Sequence, residues 1–219
     1  MYERYVKRAL DVVFSVVSMA VLSPLFLLIA VLIKLDSPGP VIFSQKRYGK
    51  DKALFDIYKF RSMRADAPHD VPTNDLRGAG GYITPLGKIL RKTSLDELPQ
   101  LFNILKGDMS FIGPRPELLR YTTRYTPQEQ CILWVRPGIS DPSSIKLISL
   151  DELVGHDDPE AAYEAKILGE KNRMRVEYAR SQSFGLDARV FWETLWCVLQ
   201  KNLKGRAGQG CAAQQGGSK

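Results

Sequence analysis

Asp96 and Glu97 stand side by side in Arg91-Lys92-Thr93-Ser94-Leu95-Asp96-Glu97-Leu98-Pro99-Gln100, after two cations and at the start of a helical pattern. A helix N-terminus favours negative charge and offers free N–H groups to phosphates. A carboxylate there stays ionised, and Arg91 is expected to lower the pKa of Asp96 further. An ionised Asp96 could attack phosphorus and form an acyl phosphate. Attack on a pyrophosphate needs its charge neutralised, usually by Mg²⁺ held between carboxylates and phosphate oxygens. Neighbouring helical side chains diverge by about 100°, so Asp96 and Glu97 can hold separate roles. The same residues admit another reading. Ser94-x-x-Glu97 is a capping box, in which hydroxyl and carboxylate satisfy the first free N–H groups.

A phosphate site also needs cations. Lys59-Phe60-Arg61-Ser62-Met63-Arg64 offers three, Lys59, Arg61 and Arg64, Arg115 lies in a rigid Pro114-Arg115-Pro116 frame, and Arg136 precedes Pro137-Gly138. Arginine suits bidentate phosphate binding. Each of these alone reads equally as a solvated surface charge.

The elements that must position these groups follow from periodicity and turn residues. Residues 41–48 and 53–60 read as two strands around a Gly49-Lys50-Asp51-Lys52 turn, a hairpin. Residues 65–81 are polar and rich in Gly and Pro, and read as a mobile loop, of a length that is often functional. Residues 86–90 and 98–105 read as helices, the second ending at Gly107. Residues 117–125, 128–135 and 157–178 also read as helical. In the last helical segment Trp192, Leu195, Trp196 and Leu199 share a face that suits either a membrane surface or packing on the body. A tail rich in Gly, Gln and Ala follows Lys204 and reads as disordered.

From Ala9 to Leu35 the chain is almost continuously apolar. That is too long for a signal-peptide core and long enough for a membrane helix of about 20 residues. Ser23-Pro24 interrupts it, and proline removes one helical hydrogen bond. Basic residues flank both ends: Arg4, Lys7 and Arg8 before, Lys34, Lys46 and Arg47 after. The charge bias therefore favours neither orientation and is met best if both ends face the cytoplasm. A kinked span and a re-entrant hairpin both fit. Ser23 could bond a carbonyl left open by the break.

Composition narrows the classes. With 44% hydrophobic and 25% charged residues the chain is a folded protein, not a disordered one. A net charge of +7 favours an acidic partner. Cys131, Cys197 and Cys211 are scattered and the two histidines, His69 and His156, are isolated. That pattern argues against a disulfide framework or structural zinc, and for a body facing a reducing cytosol. No interleaving of basic and aromatic residues marks nucleic-acid binding. On the residues alone, two rivals stay open: another membrane-attached enzyme acting on an acidic lipid, and a basic membrane scaffold.

Lys7-Arg8-Ala9-Leu10-Asp11, Leu22-Ser23-Pro24-Leu25, Asp36-Ser37-Pro38-Gly39-Pro40-Val41, residues 58–64, residues 91–100, Gly113-Pro114-Arg115-Pro116-Glu117 and Arg136-Pro137-Gly138-Ile139 occur in this order. In this the chain resembles the bacterial sugar transferases, the monotopic phosphoglycosyl transferases, from about residue 4 to about residue 203. The resemblance implies an α+β, mostly helical fold with a re-entrant N-terminal membrane helix broken at Ser23 and Pro24, a small β-hairpin and interfacial amphipathic helices. It implies a membrane segment over 1–36, a catalytic domain over 37–203 on the cytoplasmic face of a bacterial inner membrane, and a tail over 204–219. The reaction implied moves a sugar phosphate from a UDP-sugar to polyprenyl phosphate, releasing UMP. Asp96 would be the nucleophile, Asp96 and Glu97 would hold Mg²⁺, and Lys59, Arg61, Arg91, Arg115 and Arg136 would contact substrate. A homodimer and a monomer both remain open. Many members continue past Pro-Gly-Ile with Thr-Gly; here Ser140-Asp141-Pro142-Ser143 follows, which resembles another branch and leaves the sugar open. Extra spanning helices before the apolar segment are absent from the sequence read, which suggests a minimal catalytic form.

Overall fold

A computed structural model describes residues 2–67, 81–146 and 167–203. The tail expected over 204–219, most of the 65–81 loop and the first part of the 157–178 helix lie outside the described residues. The architecture is mostly helical with two small sheets.

Helix α1 runs Lys7–Asp36 without interruption, Pro24 included. Pro24 has no N–H to give the carbonyl four residues back, that of Ala20. The Ser23 hydroxyl donates to that same carbonyl at 2.8 Å. The expected compensation is therefore present, and it lets the helix pass through the proline. Most of α1 stays uncovered: Val13, Phe14, Val17, Val21, Leu27, Leu28 and Leu35 are all more than half exposed. An apolar face of this extent suits lipid rather than water.

Both ends of α1 are fastened to the same body. At its start, Lys7 Nζ donates to Asp187 Oδ2 at 2.5 Å and to the Ile112 carbonyl at 2.8 Å. Arg8 donates to the carbonyls of Ile104 and Leu105, and Asp11 Oδ1 accepts from Ser110 Oγ and the Phe111 N–H. At its end, Ile29 and Ile33 pack with Phe60 and Leu90. There Arg61 donates to the carbonyls of Ile33, Ser37 and Pro38. A helix that crosses a bilayer delivers its ends to opposite sides, about 30 Å apart. Here both ends of the helix are attached to one body.

The hairpin forms as expected: β1 (Ile42–Tyr48) pairs antiparallel with β2 (Leu54–Phe60), Ile42 opposite Phe60 and Tyr48 opposite Leu54. Helix α2 (Pro85–Thr93) begins with Thr84 accepting the Gly87 N–H at 2.9 Å. Helix α3 (Gln100–Lys106) ends at Gly107, which adopts the left-handed conformation at φ 97°. The main core joins the two layers: Phe55 and Ile57 of β2 meet Leu101 and Ile104 of α3, with Met109 beside them.

Strand β3 (Ser110–Ile112) pairs parallel with β4 (Gly138–Ser140). Gly113 and Gly138 approach so closely that a Cβ on either would overlap the other strand's backbone. Between them lie α4 (Leu119–Thr122) and a 3-10 turn at Glu129–Trp134. Two expected helices are thus corrected. The 117–125 segment shrinks to one turn because Leu118 is still extended and Pro127 disfavours helix just before it. The 128–135 segment tightens into 3-10 geometry.

Helix α5 (Pro142–Lys146) is followed, among the described residues, by α6 (Gly169–Ser181) and α7 (Phe184–Leu203). Val190 of α7 packs with Ile112, Val135 and Tyr178, while Trp192, Leu195 and Trp196 remain exposed. The helix thus packs on the body through Val190, while the face carrying Trp192, Leu195 and Trp196 is not packed there. Cys131 and Cys197 are buried.

Candidate functional site

Asp96 and Glu97 do not open a helix. Helix α2 ends at Ser94, whose φ of 58° turns the chain left-handed, and Leu95–Glu97 form a 3-10 turn before α3 starts behind Pro99. The capping-box reading is corrected with it. Ser94 makes no side-chain cap, and the Glu97 carboxylate turns away to two cations. Charge-assisted bonds to Lys59 and Arg115 are roughly twice as strong as the bond to a neutral N–H that a box would supply.

The turn reaches Lys59 through an unexpected device. Asn103, fully buried in α3, accepts the Tyr58 N–H at 2.9 Å and donates to the Asp56 carbonyl at 2.7 Å. Its carboxamide continues the ladder of β2 and fixes α3 on the free edge of the hairpin. Past β2, Ser62 accepts the Thr84 N–H at 3.2 Å and Arg64 donates its own N–H to Tyr82. These contacts lay α2 beside β2 and bring Arg91 Nε to Ser62 Oγ at 2.8 Å.

Around the turn opens a cleft of about 580 Å³, lined among others by Arg47, Lys59, Arg61, Arg91, Asp96 and Glu97. Its size lies within the range of small-molecule sites, about 300–1,000 Å³. The two carboxylates in it differ sharply. Glu97 Oε1 accepts from Lys59 Nζ at 2.8 Å and from Arg115 Nη2, and its Oε2 accepts from Arg115 Nη1 at 3.1 Å. Burial alone would push the Glu97 carboxyl up, but Arg115 and Lys59 outweigh it and hold it well below the usual range. Asp96 accepts no hydrogen bond from the described residues. Burial raises its carboxyl above the ordinary aspartate value, with Lys59, Arg91 and Arg115 pulling back and Glu97 adding to the rise. Arg91 does lower this pKa, as expected, but removal from water outweighs it and the net shift is upward.

The predicted cations part company. Lys59 and Arg91 face the cleft, and Arg115 reaches the turn through Glu97. Arg61 touches the cleft, but its guanidinium is bonded to the end of α1. Arg136 donates Nε to the Gly107 carbonyl at 2.9 Å, at the far end of α3, and does not line the cleft. Ser23 and Pro24 lie within α1. Arg47, read in sequence only as a charge flanking the apolar segment, and Ser62, read only as part of the 59–64 stretch, also line the cleft. Among the described residues no group of three or more metal-binding side chains occurs. Asp96 nevertheless suits Mg²⁺, which takes one or two carboxylates together with phosphate oxygens and water.

If Asp96 must be ionised to act, the acid limb of kcat/KM follows its pKa. Activity then falls as pH drops, with a midpoint above the ordinary aspartate value, and Glu97 stays ionised throughout that fall. A pH–rate profile with its midpoint at or below the ordinary value would contradict this.

Comparison with known proteins adds a family. The model of the bacterial sugar transferase family matches residues 2–201. The chain is 36% identical over 206 residues to exopolysaccharide production protein PSS of Rhizobium leguminosarum bv. phaseoli, covering 89% of this chain and 96% of that protein. It is 45% identical over 143 residues to a UDP-N-acetylgalactosamine-undecaprenyl-phosphate N-acetylgalactosaminephosphotransferase of Aeromonas hydrophila, covering 62% of this chain and 33% of the relative. It is 35% identical over 200 residues to a UDP-glucose:undecaprenyl-phosphate glucose-1-phosphate transferase of Escherichia coli (strain K12), covering 88% and 40%. The chain thus spans well under half the length of these last two relatives.

Proposed function

The chain belongs to the bacterial sugar transferase family, and from that premise we propose that it transfers a sugar-1-phosphate from a UDP-sugar to undecaprenyl phosphate. The observation that carries this reading is the unequal carboxylate pair. Glu97 is locked by two cations, while Asp96 faces a cationic cleft with no hydrogen-bond donor on it among the described residues.

In the first step an Asp96 oxygen attacks the phosphorus that carries the sugar. The bond from that phosphorus to the UMP oxygen breaks, and UMP leaves with the electron pair. In the second step a phosphate oxygen of the polyprenyl acceptor attacks the same phosphorus, the acyl-phosphate bond breaks, and Asp96 returns to its carboxylate. Lys59 and Arg91 bind the phosphate oxygens, and Arg115 keeps Glu97 ionised beside them. Desolvation of Asp96 strips water from the attacking oxygen and keeps it nucleophilic. Asp96 would hold Mg²⁺ together with phosphate oxygens, supplying charge neutralisation on the pyrophosphate; the expected share of Glu97 in that site does not fit, because Lys59 and Arg115 occupy both its oxygens.

The lipid-facing α1, joined at both ends to the body, supports a re-entrant anchor with the body on the cytoplasmic side, where the donor is found. The relatives named above differ in the sugar their names carry, N-acetylgalactosamine in one and glucose in the other. The test is UMP release from a panel of UDP-sugars by the purified chain with undecaprenyl phosphate. Release should need added Mg²⁺, stop with EDTA and return when Mg²⁺ is restored. Release that persists in excess chelator sinks the metal assignment, and no release from any donor sinks the substrate class.

A further inference from the structure

Behind Arg115 lies a second charged cluster that does not line the cleft. Asp141 and Arg175 are each only 1% exposed. Arg175 Nε donates to Asp141 Oδ2 at 2.7 Å, and Arg175 Nη1 donates to Glu117 Oε1 at 2.9 Å. The same Asp141 carboxylate accepts the backbone N–H of Arg115 at 3.2 Å, the Ser143 N–H at 2.9 Å and the Ser143 hydroxyl at 2.7 Å. Three separate stretches of chain therefore converge on one carboxylate: the 113–117 loop, residues 141–143 and α6. Arg175 clamps both flanks of Arg115, one through Asp141 and the other through Glu117.

A buried ion pair is a poor way to gain stability, because apolar residues of similar volume often serve as well or better. Apolar side chains cannot, however, hold a particular N–H in place. The loop concerned is already stiff, with Pro114 and Pro116 around Arg115, and it is laid on β4 by Gly113 N–H to Ser140 and Gly138 N–H to Pro114, each 3.0 Å. The last degree of freedom is the orientation of the Arg115 peptide, and Asp141 fixes it.

We propose that Asp141 and Arg175 are positioning residues for the transfer site. They set the Arg115 backbone so that its guanidinium holds Glu97 through both carboxylate oxygens and leaves Asp96 as the open one. This rests on the reading of Asp96 as the nucleophile. Neither residue touches substrate; both act through Arg115.

The experiment measures UMP release by the full chain in detergent or nanodiscs, with kcat and KM determined separately. Asp141→Asn should lower kcat about 10- to 100-fold, the scale on which small misplacements cost rate. KM for the UDP-sugar should change by less than about threefold, because ground-state binding is retained. Combined with Arg115→Ala, the double variant should be no slower than Arg115→Ala alone, since the two act on one contact. A double variant slowed by the product of both effects, or a wild-type kcat in Asp141→Asn, overturns the positioning role. If Asp141→Asn does not accumulate as folded protein, Arg175→Lys enters the same cycle. It keeps the charge but loses the planar fork that reaches Asp141 and Glu117 together. Should neither variant fold, the pair serves folding alone and the proposal falls. Asp96→Asn runs in parallel. Normal release by that variant sinks the nucleophile reading itself, whereas loss there beside a normal Asp141→Asn sinks only the positioning.

Discussion

Asp96→Asn should abolish UMP release, lowering kcat by at least about 10³-fold, the scale of removing a nucleophile from a site whose members act as a unit. The change is nearly isosteric, and it removes a charge that burial disfavours, as the raised Asp96 pKa indicates. Thermal stability should therefore stay the same or rise while activity disappears. A group retained at a cost to stability is the pattern of a functional site. Trapping separates chemistry from binding: a UDP-sugar carrying label in the sugar should leave label that alkali and hydroxylamine both release on the wild-type chain, and none on Asp96→Asn. Equal UMP release by both proteins would falsify the nucleophile assignment.

Lys7→Met should cost the fold about 3–5 kcal/mol, the usual effect of removing one partner from a buried ion pair. Lys7 and Asp187 side chains are only 7% and 9% exposed, and their nitrogen–oxygen distance is 2.5 Å. Lys7 also reaches Tyr178 Oη at 3.0 Å, and Tyr178 donates to Asp187 Oδ1 at 2.6 Å. Burial, reinforced by Asp187, keeps the Tyr178 phenol protonated far above the ordinary range. Removing Lys7 leaves Asp187 buried without its cation, at the point where α1, α6 and α7 meet. The melting temperature should fall by on the order of 10 °C. Scanning fluorimetry in detergent reads it directly, and a fall of only a degree or two would mean that apolar packing alone holds the start of α1.

These two positions mark what sequence could and could not reveal. Asp96 stood out because two adjacent carboxylates after two cations are uncommon and chemically suggestive. Lys7 reads in sequence as a membrane-flanking charge within a family motif, and nothing local to it announces a partner 180 residues away. Asn103 gave no signal at all, because an asparagine inside a short helix reads as neutral until the hairpin edge it completes is in place.

The sequence by itself determined the local elements whose causes are local. The apolar run sets the length of α1, Ser23 next to Pro24 sets how its broken bond is repaired, Gly107 ends α3, and the alternation on either side of residues 49–52 makes the hairpin. It also determined the family, because the order of its motifs survives without any knowledge of their contacts. The tertiary structure alone decided which carboxylate is free. Ser94-x-x-Glu97 is a sound capping box on local grounds, yet Lys59 arrives from β2 and Arg115 from the loop before α4, and together they take Glu97. Burial then raises Asp96 where proximity to Arg91 predicted the reverse. Arg61 and Arg136, alike in sequence to the other candidates, were drawn off to the ends of α1 and α3. In each case the outcome depends on charges and carbonyls that meet only when distant segments pack, and electrostatic energy follows distance and burial in space, not position along the chain.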